Sequence, residues 1–180
     1  MSDRVSRTIL LCEDDPQEQL VRSYLKECGL NTLPPYLVTR NASREVHGGN
    51  VGWVLEAFAT ELRACRKRHA AKANTLLIVV VDADDFTVEE RRSQLVAVPP
   101  MVPTDPLVAL IPRRHVETWI RAALEENVAE TDDCKNSKLK KSAIRAAATR
   151  IHGWTRDSPP PGPTCVPSLH AALVEWRKIG

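Results

Sequence analysis

The sequence predicts an α/β fold: a three-layer sandwich around a mainly parallel sheet. Three observations carry that reading. Short apolar runs alternate with helical patterns along most of the chain. The clearest run, Leu76 to Val81 ("LLIVVV"), is unbroken and rich in β-branched residues, as in a strand buried on both faces. Two such runs end in clustered acids, Glu13-Asp14-Asp15 and Asp82-Ala83-Asp84-Asp85. In open parallel sheets, functional residues gather where the strands end.

The elements follow in order. "TILLC" (8–12) reads as a buried strand. Asp15 is then expected as a helix N-cap, with Pro16 in the first turn and Glu18 three residues on, a capping-box spacing. That helix reaches about Cys28, where Gly29 is placed to end it. "YLVTR" (36–40) predicts a second strand, and residues 41–50 a loop. From Val51 to Ala70, Val54, Leu55, Phe58, Leu62 and Cys65 recur at helical spacing. The third strand ends at Val81, and Thr87 with Glu90 caps the next helix. "PLVALIP" (106–112) is a fourth strand. Helices are expected over 113–127, 135–154 and 168–179, the last capped by Ser168. The proline-dense stretch 156–167 is too rich in proline for regular structure.

Bulk properties narrow the classes. With 180 residues, 43% hydrophobic and 27% charged, the chain has enough apolar material for a buried core. We expect an α/β domain over 1–130 and a helical extension, 131–180, packed on it. A formal charge of +2 implies no partner by itself. Two Phe and two Tyr leave little for an aromatic platform that stacks bases. Five scattered cysteines without a CxxC pair argue against a secreted disulfide framework. The apolar runs are too short to span a bilayer, and "MSDRVSR" leads into no signal-peptide apolar core. A cytoplasmic protein with no membrane association is therefore expected.

The acids admit two family readings. "ILLCEDDP" resembles the start of response-regulator receiver domains, which makes Asp82 the candidate phosphoacceptor. Asp82 lies farther from Glu13 than a receiver allows, and "VALIPRRH" offers arginines where a receiver places a lysine. The other reading rests on Glu13 at the end of the first strand and Asp82-Ala83-Asp84 directly after "LLIVVV". These residues resemble the TOPRIM domain shared by topoisomerases, primases and OLD-type nucleases, over residues 8–125. "LIPRRHVETWI" further resembles small TOPRIM-like proteins of the OLD-nuclease kind, in which a glutamate beside a tryptophan matches Glu117 and Trp119. The chain departs from that pattern at Asp14, where many TOPRIM domains have glycine, and after Asp84, where no glycine follows.

The resemblance implies a Rossmann-like TOPRIM fold and a Mg²⁺ (or Mn²⁺) site. Its ligands are expected to be Glu13, Asp82 and Asp84, with Asp85 or Glu117 supporting a second ion. Carboxylates gathered from separate strands repel one another unless a cation lies among them. Such an ion stabilises charge on a phosphate oxygen and activates water. The implied activity is nuclease cleavage of phosphodiesters. An ATPase partner in a bacterial defence system is implied by the resemblance alone. Neither the second domain of a topoisomerase nor the zinc module of a primase is expected. A non-catalytic module that binds nucleic acid or protein is the alternative from another class.

The basic residues supply the rest. Arg63, Arg66, Lys67, Arg68, His69 and Lys72 form one run without an acid, and Lys135, Lys138, Lys140, Lys141, Arg145 and Arg150 another. Each suits a phosphate backbone or a solvated helix face. Arg113 and Arg114 follow a strand end and are expected to clamp a phosphate beside the acids. His115 reads either as a general acid or as an unpaired loop histidine. Cys65 and His69 share a helix face but lack the partners a metal site needs. Trp53, Trp119, Trp154 and Trp176 are expected in packing roles.

Overall fold

The computed structural model describes residues 5–46, 50–135, 138–156 and 165–179. Four strands form one sheet: β1 (Arg7–Cys12), β2 (Leu37–Asn41), β3 (Thr75–Val80) and β4 (Leu107–Leu110). Their order is β2-β1-β3-β4, and every pairing is parallel. Helices cover both faces, so the three-layer α/β sandwich stands, with the sheet wholly parallel.

The strands alternate their side chains between two cores. Leu10, Cys12, Ile78, Val80, Val108 and Leu110 face one side. There they meet α1 (Asp15–Glu27), α5 (Val116–Ala123), α6 (Lys141–Arg156) and α7 (Pro167–Trp176). Ile9, Leu11, Leu77, Val79, Val81 and Ala109 face the other. That side is covered by α3 (Val51–Ala70), through Val54, Phe58, Leu62 and Cys65. The short α4 (Val88–Gln94) touches it through Val88. "LLIVVV" is apolar throughout because it is buried on both faces.

The last two helices belong to the first core. Ile144, Ala148 and Ile151 of α6 and Leu169, Leu173 and Trp176 of α7 join the cluster of α1 and the strands. Tyr24 of α1 locks them. Its ring lies 4.3 Å from that of Trp176, and its hydroxyl donates to Trp176 O at 3.1 Å and lies 2.9 Å from Thr155 Oγ1.

Several boundaries differ from expectation, each for a local reason. The cap of α1 is Asp14, whose carboxylate accepts from Gln17 N–H, and Asp15 is already helical. Gly29 closes α1 at φ 72, with Leu30 N–H reaching back to Leu25 O. The expected loop 41–50 contains a helical turn, α2 (Ala42–Glu45), because Asn41 caps it by accepting from Ser43 N–H. Residues 47–49 lie outside the described ones.

The Thr87–Glu90 capping box forms as expected. α5 starts later than 113, because Arg113 and Arg114 reach across to the turn after β3 and His115 takes the N-cap position. α6 begins at Lys141 rather than 135, and 136–137 lie outside the described residues. α7 opens on Pro167. Ser168 does not cap it. Its hydroxyl accepts instead from the buried indole N–H of Trp119 at 2.8 Å. Most of the proline-dense stretch, 157–164, lies outside the described residues. Among the described residues, no helix is long and apolar enough to cross a membrane.

Candidate metal centre

The sheet reverses its winding between β1 and β3. The chain leaves β1 toward β2 on one side, then returns to place β3 and β4 on the other. A crevice opens at the carboxyl ends of such a pair, the usual binding position in open parallel sheets. Glu13 and Asp82 follow these two strands, and the structure puts them in contact. Glu13 Oε1 accepts from the backbone N–H of Asp82 at 2.6 Å.

Gln17 completes the joint. Its side chain is fully buried. Its Nε2 donates to Asp82 Oδ1 at 3.0 Å and to Glu13 Oε1 at 3.4 Å, while its Oε1 accepts from Glu13 N–H at 2.9 Å. The sequence reading missed Gln17, although a signal existed. With Asp14 as the cap, Gln17 is the third helical residue, where a Glu or Gln side chain turns back on the chain entering the helix. Taking Asp15 as the cap moved that position to Glu18.

Asp82, Asp84 and His115 bring one donor atom each within 4.8 Å of one another. His115 is 4% exposed, so it is no solvated loop residue. Its Nδ1 lies 3.6 Å from Asp82 Oδ2 and 3.9 Å from Asp84 Oδ1, too far for hydrogen bonds, and this buried atom has no hydrogen-bond partner. Its Nε2 faces Asp133 Oδ1 at 3.4 Å. A neutral imidazole with its proton on Nε2, toward Asp133, leaves the Nδ1 lone pair between two carboxylates. A hydrogen-bond donor satisfies that lone pair, and a cation satisfies it together with both carboxylates. Donors about 2.1 Å from one ion and at right angles lie about 3 Å apart. The observed separations of 3.6 and 3.9 Å are wider than that. A carboxylate on the far nitrogen of a ligating histidine is the usual support for such a ligand. The group could hold a metal ion, and its two carboxylates and one imidazole do not specify which.

The electrostatics agree. Burial, then the neighbouring Asp82, pushes the Glu13 carboxyl up to about 8. Asp82 is raised well above the ordinary range by burial, then by Asp14, Glu117 and Asp84. Burial also raises Asp14 and Glu117. All four hold protons more tightly than free carboxylates because negative charge has been concentrated in a poorly solvated place. A divalent cation relieves the same stress.

The other expected residues fall in different positions. Asp84 has a left-handed backbone at φ 54, an uncommon conformation for a residue other than glycine. Arg113 supports that turn, donating from Nη1 to Asp84 O at 2.9 Å and Phe86 O at 2.7 Å. Arg91, itself buried, lies 3.6 Å from Asp84 Oδ2. Asp85 points to solvent and pairs with Arg114 at 2.5 Å. It therefore stands apart from the Asp82–Asp84–His115 group; Arg113 is engaged by the carbonyls of this turn and Arg114 by Asp85. Glu117 is buried in the first turn of α5, close enough to Asp82 to raise its pKa. Cys65 lies in the α3 core and His69 is exposed, so they do not share a site.

Glu13, Asp82 and Asp84 are thus gathered at one sheet edge with His115 and Gln17, but among the described residues the group whose donors could share an ion is Asp82, Asp84 and His115, with Glu13 held beside it by Gln17 and the Asp82 N–H. The chain matches no family model, no curated protein and no solved structure.

Proposed function

We propose that this protein is a divalent-metal-dependent nuclease, hydrolysing phosphodiesters at the carboxyl edge of the sheet. The observation that carries the reading is the buried His115 Nδ1, unpartnered and directed between Asp82 and Asp84. Asp82, Asp84 and His115 would hold the ion. An imidazole in the donor set favours Mn²⁺ or another transition ion over Mg²⁺, which prefers oxygen donors alone. When bound, the ion supplies positive charge to a phosphate oxygen and lowers the pKa of a coordinated water.

The chain's own groups do the remaining work. Gln17 and the Asp82 N–H fix Glu13 Oε1, while Glu13 Oε2 makes no hydrogen bond among the described residues. Raised to about 8, this carboxyl is matched to neutral pH and suited to take a proton from water and hand it on. Glu117 adds negative charge that favours a cation at Asp82.

A receiver domain is the second reading, because its strand order begins in the same way. Against it, Asp82 is 2% exposed and its carboxylate accepts from Gln17, whereas an acceptor for phosphate must be reachable. The test is cleavage of plasmid and of RNA with Mn²⁺ or Mg²⁺, comparing wild type with Glu13→Ala and Asp84→Ala. Metal-dependent cutting that disappears in both variants supports the nuclease. Cutting that survives both discards the site, and modification of Asp82 by acetyl phosphate supports the receiver.

A further inference from the structure

A second feature lies between α1 and α6, away from the acids. A cavity of about 270 Å³ is lined by Arg22, Lys26, Arg44, Lys141 and Arg145, with Gln19 and Ser23 among them. No carboxylate and no aromatic ring lines it. Two of its cations are matched. Arg22 pairs with Glu18 at 3.0 Å, and Arg44 pairs with Asp15 at 2.7 Å and Glu18 at 3.0 Å. The side chains of Lys26, Lys141 and Arg145 make no ion pair or hydrogen bond among the described residues. Three unmatched charges therefore converge on one concave surface. Lys141 and Arg145 also occupy the first turns of a 16-residue helix, whose dipole adds to the positive potential.

The cavity is coupled to the acidic edge. Arg44 belongs to α2, and the N–H of its neighbour Ser43 donates to Glu13 O at 2.9 Å. We propose that this cavity binds a backbone phosphate of a nucleic-acid strand that continues to the Asp82–Asp84–His115 group. The identity of the ligand rests on the nuclease reading; the demand for an anion does not. Lysine is a point charge that accepts a phosphate in many orientations. With no ring to stack a base and five cations against the single amide of Gln19, recognition is of the backbone and independent of base sequence.

The experiment is fluorescence anisotropy of labelled oligonucleotides with the full chain, in Ca²⁺ rather than Mn²⁺ so that the strand stays intact. The variants are Lys26→Gln, Lys141→Gln and Arg145→Gln, singly and combined. All three side chains are exposed, so the variants keep the wild-type thermal midpoint. The triple variant is expected to bind about tenfold more weakly or worse, for any base sequence. Its plot of log affinity against log salt should flatten by roughly 0.7–0.9 for each phosphate that is no longer neutralised. A triple variant with unchanged affinity and slope overturns the proposal, and so does a wild type that binds no oligonucleotide. Cleavage in Mn²⁺ is scored separately. Binding that depends on these residues in a protein that cuts nothing supports the cavity and removes the nuclease. Cutting by a protein whose binding ignores them does the reverse.

Discussion

The Glu13 carboxylate accepts a hydrogen bond from the Asp82 backbone at 2.6 Å, although the two residues lie 69 positions apart. Parallel pairing of β1 with β3 makes that contact possible, and it joins two acidic clusters into one site. The contact also explains an apparent contradiction. A fold that buries Glu13 and Asp82 together raises the pKa of both, and so carries a cost that ordinary core residues would avoid. Such strained electrostatics are a common mark of a functional site.

A divalent ion should therefore stabilise the protein. At a concentration a hundred times its Kd, a ligand specific for the folded state adds about 2.7 kcal/mol. For a chain of this size that is a rise of roughly 5–10 °C in Tm. Differential scanning fluorimetry with Mn²⁺ should show such a rise in the wild type and little or none in Asp82→Asn or Asp84→Asn. An equal rise in the variants would place the ion elsewhere.

The pH dependence has a definite sign. Unfolded, Glu13 releases its proton near 4.5; folded, it holds it up to about 8. Between those values the unfolded state binds fewer protons, so stability falls as pH rises and levels off above about 8. Asp82, also raised, acts in the same direction. Melts in EDTA from about pH 5 to about pH 8.5 should show this decline on top of the rest of the protein. Glu13→Gln should flatten it. With Mn²⁺ the order reverses, because the ion competes with protons for Asp82 and stabilises most where the carboxylates are ionised. An EDTA profile identical in wild type and Glu13→Gln would sink the assignment.

The sheet and the acidic edge were legible because they rest on short-range pattern. "LLIVVV" declares a strand buried on both faces, and Thr87–Glu90 declares a cap. The partners of the acids were less legible. Gln17 depended on choosing between Asp14 and Asp15 as the cap, and one residue decides which side chain turns back into the site. Asp133 approaches His115 only through the tertiary path of the chain after α5, which no local spacing encodes. Sequence shows the position of Arg113 after a strand, not the carbonyls of Asp84 and Phe86 that engage it.

Gln17 supplies the next expectation. It is buried and satisfies three polar groups. Gln17→Met fills similar volume but leaves Glu13 N–H without its acceptor and Asp82 Oδ1 without its donor, while Glu13 Oε1 keeps only the Asp82 N–H. The cost should be about 1–3 kcal/mol at neutral pH, measured by urea unfolding. Mn²⁺ should recover part of it, because the ion replaces the missing donor at Asp82. A variant as stable as wild type would show that the amide does not hold the two strand ends.

The joint at the opposite end of α1 tests the C-terminal helices. Tyr24 donates to Trp176 O and meets Thr155, tying α6 and α7 to the first core. Tyr24→Phe keeps the ring contact and removes the hydroxyl. A destabilisation of about 1 kcal/mol, read as a Tm fall of roughly 2–4 °C, is expected. Metal binding should be unaffected, since Tyr24 stands apart from the acids. Two separate transitions in the variant would mean that these helices melt as an independent unit.

His115 and Asp133 give the sharpest discrimination, because they predict which metal is held and how firmly. If Nδ1 is a ligand, His115→Ala removes the only nitrogen donor of the Asp82–Asp84–His115 group and should weaken Mn²⁺ more than Mg²⁺, narrowing the preference between them. Asp133 touches the ring from behind, and its side chain is largely exposed, so Asp133→Asn should cost little stability. It should still lower Mn²⁺ affinity by about tenfold, the low end of what removing the carboxylate behind a ligating histidine does. Isothermal titration of both variants with both ions reads this directly. Were His115 only a core residue, His115→Ala would destabilise the fold while leaving the Mn²⁺-to-Mg²⁺ ratio unchanged, and Asp133→Asn would leave both affinities as they are in the wild type.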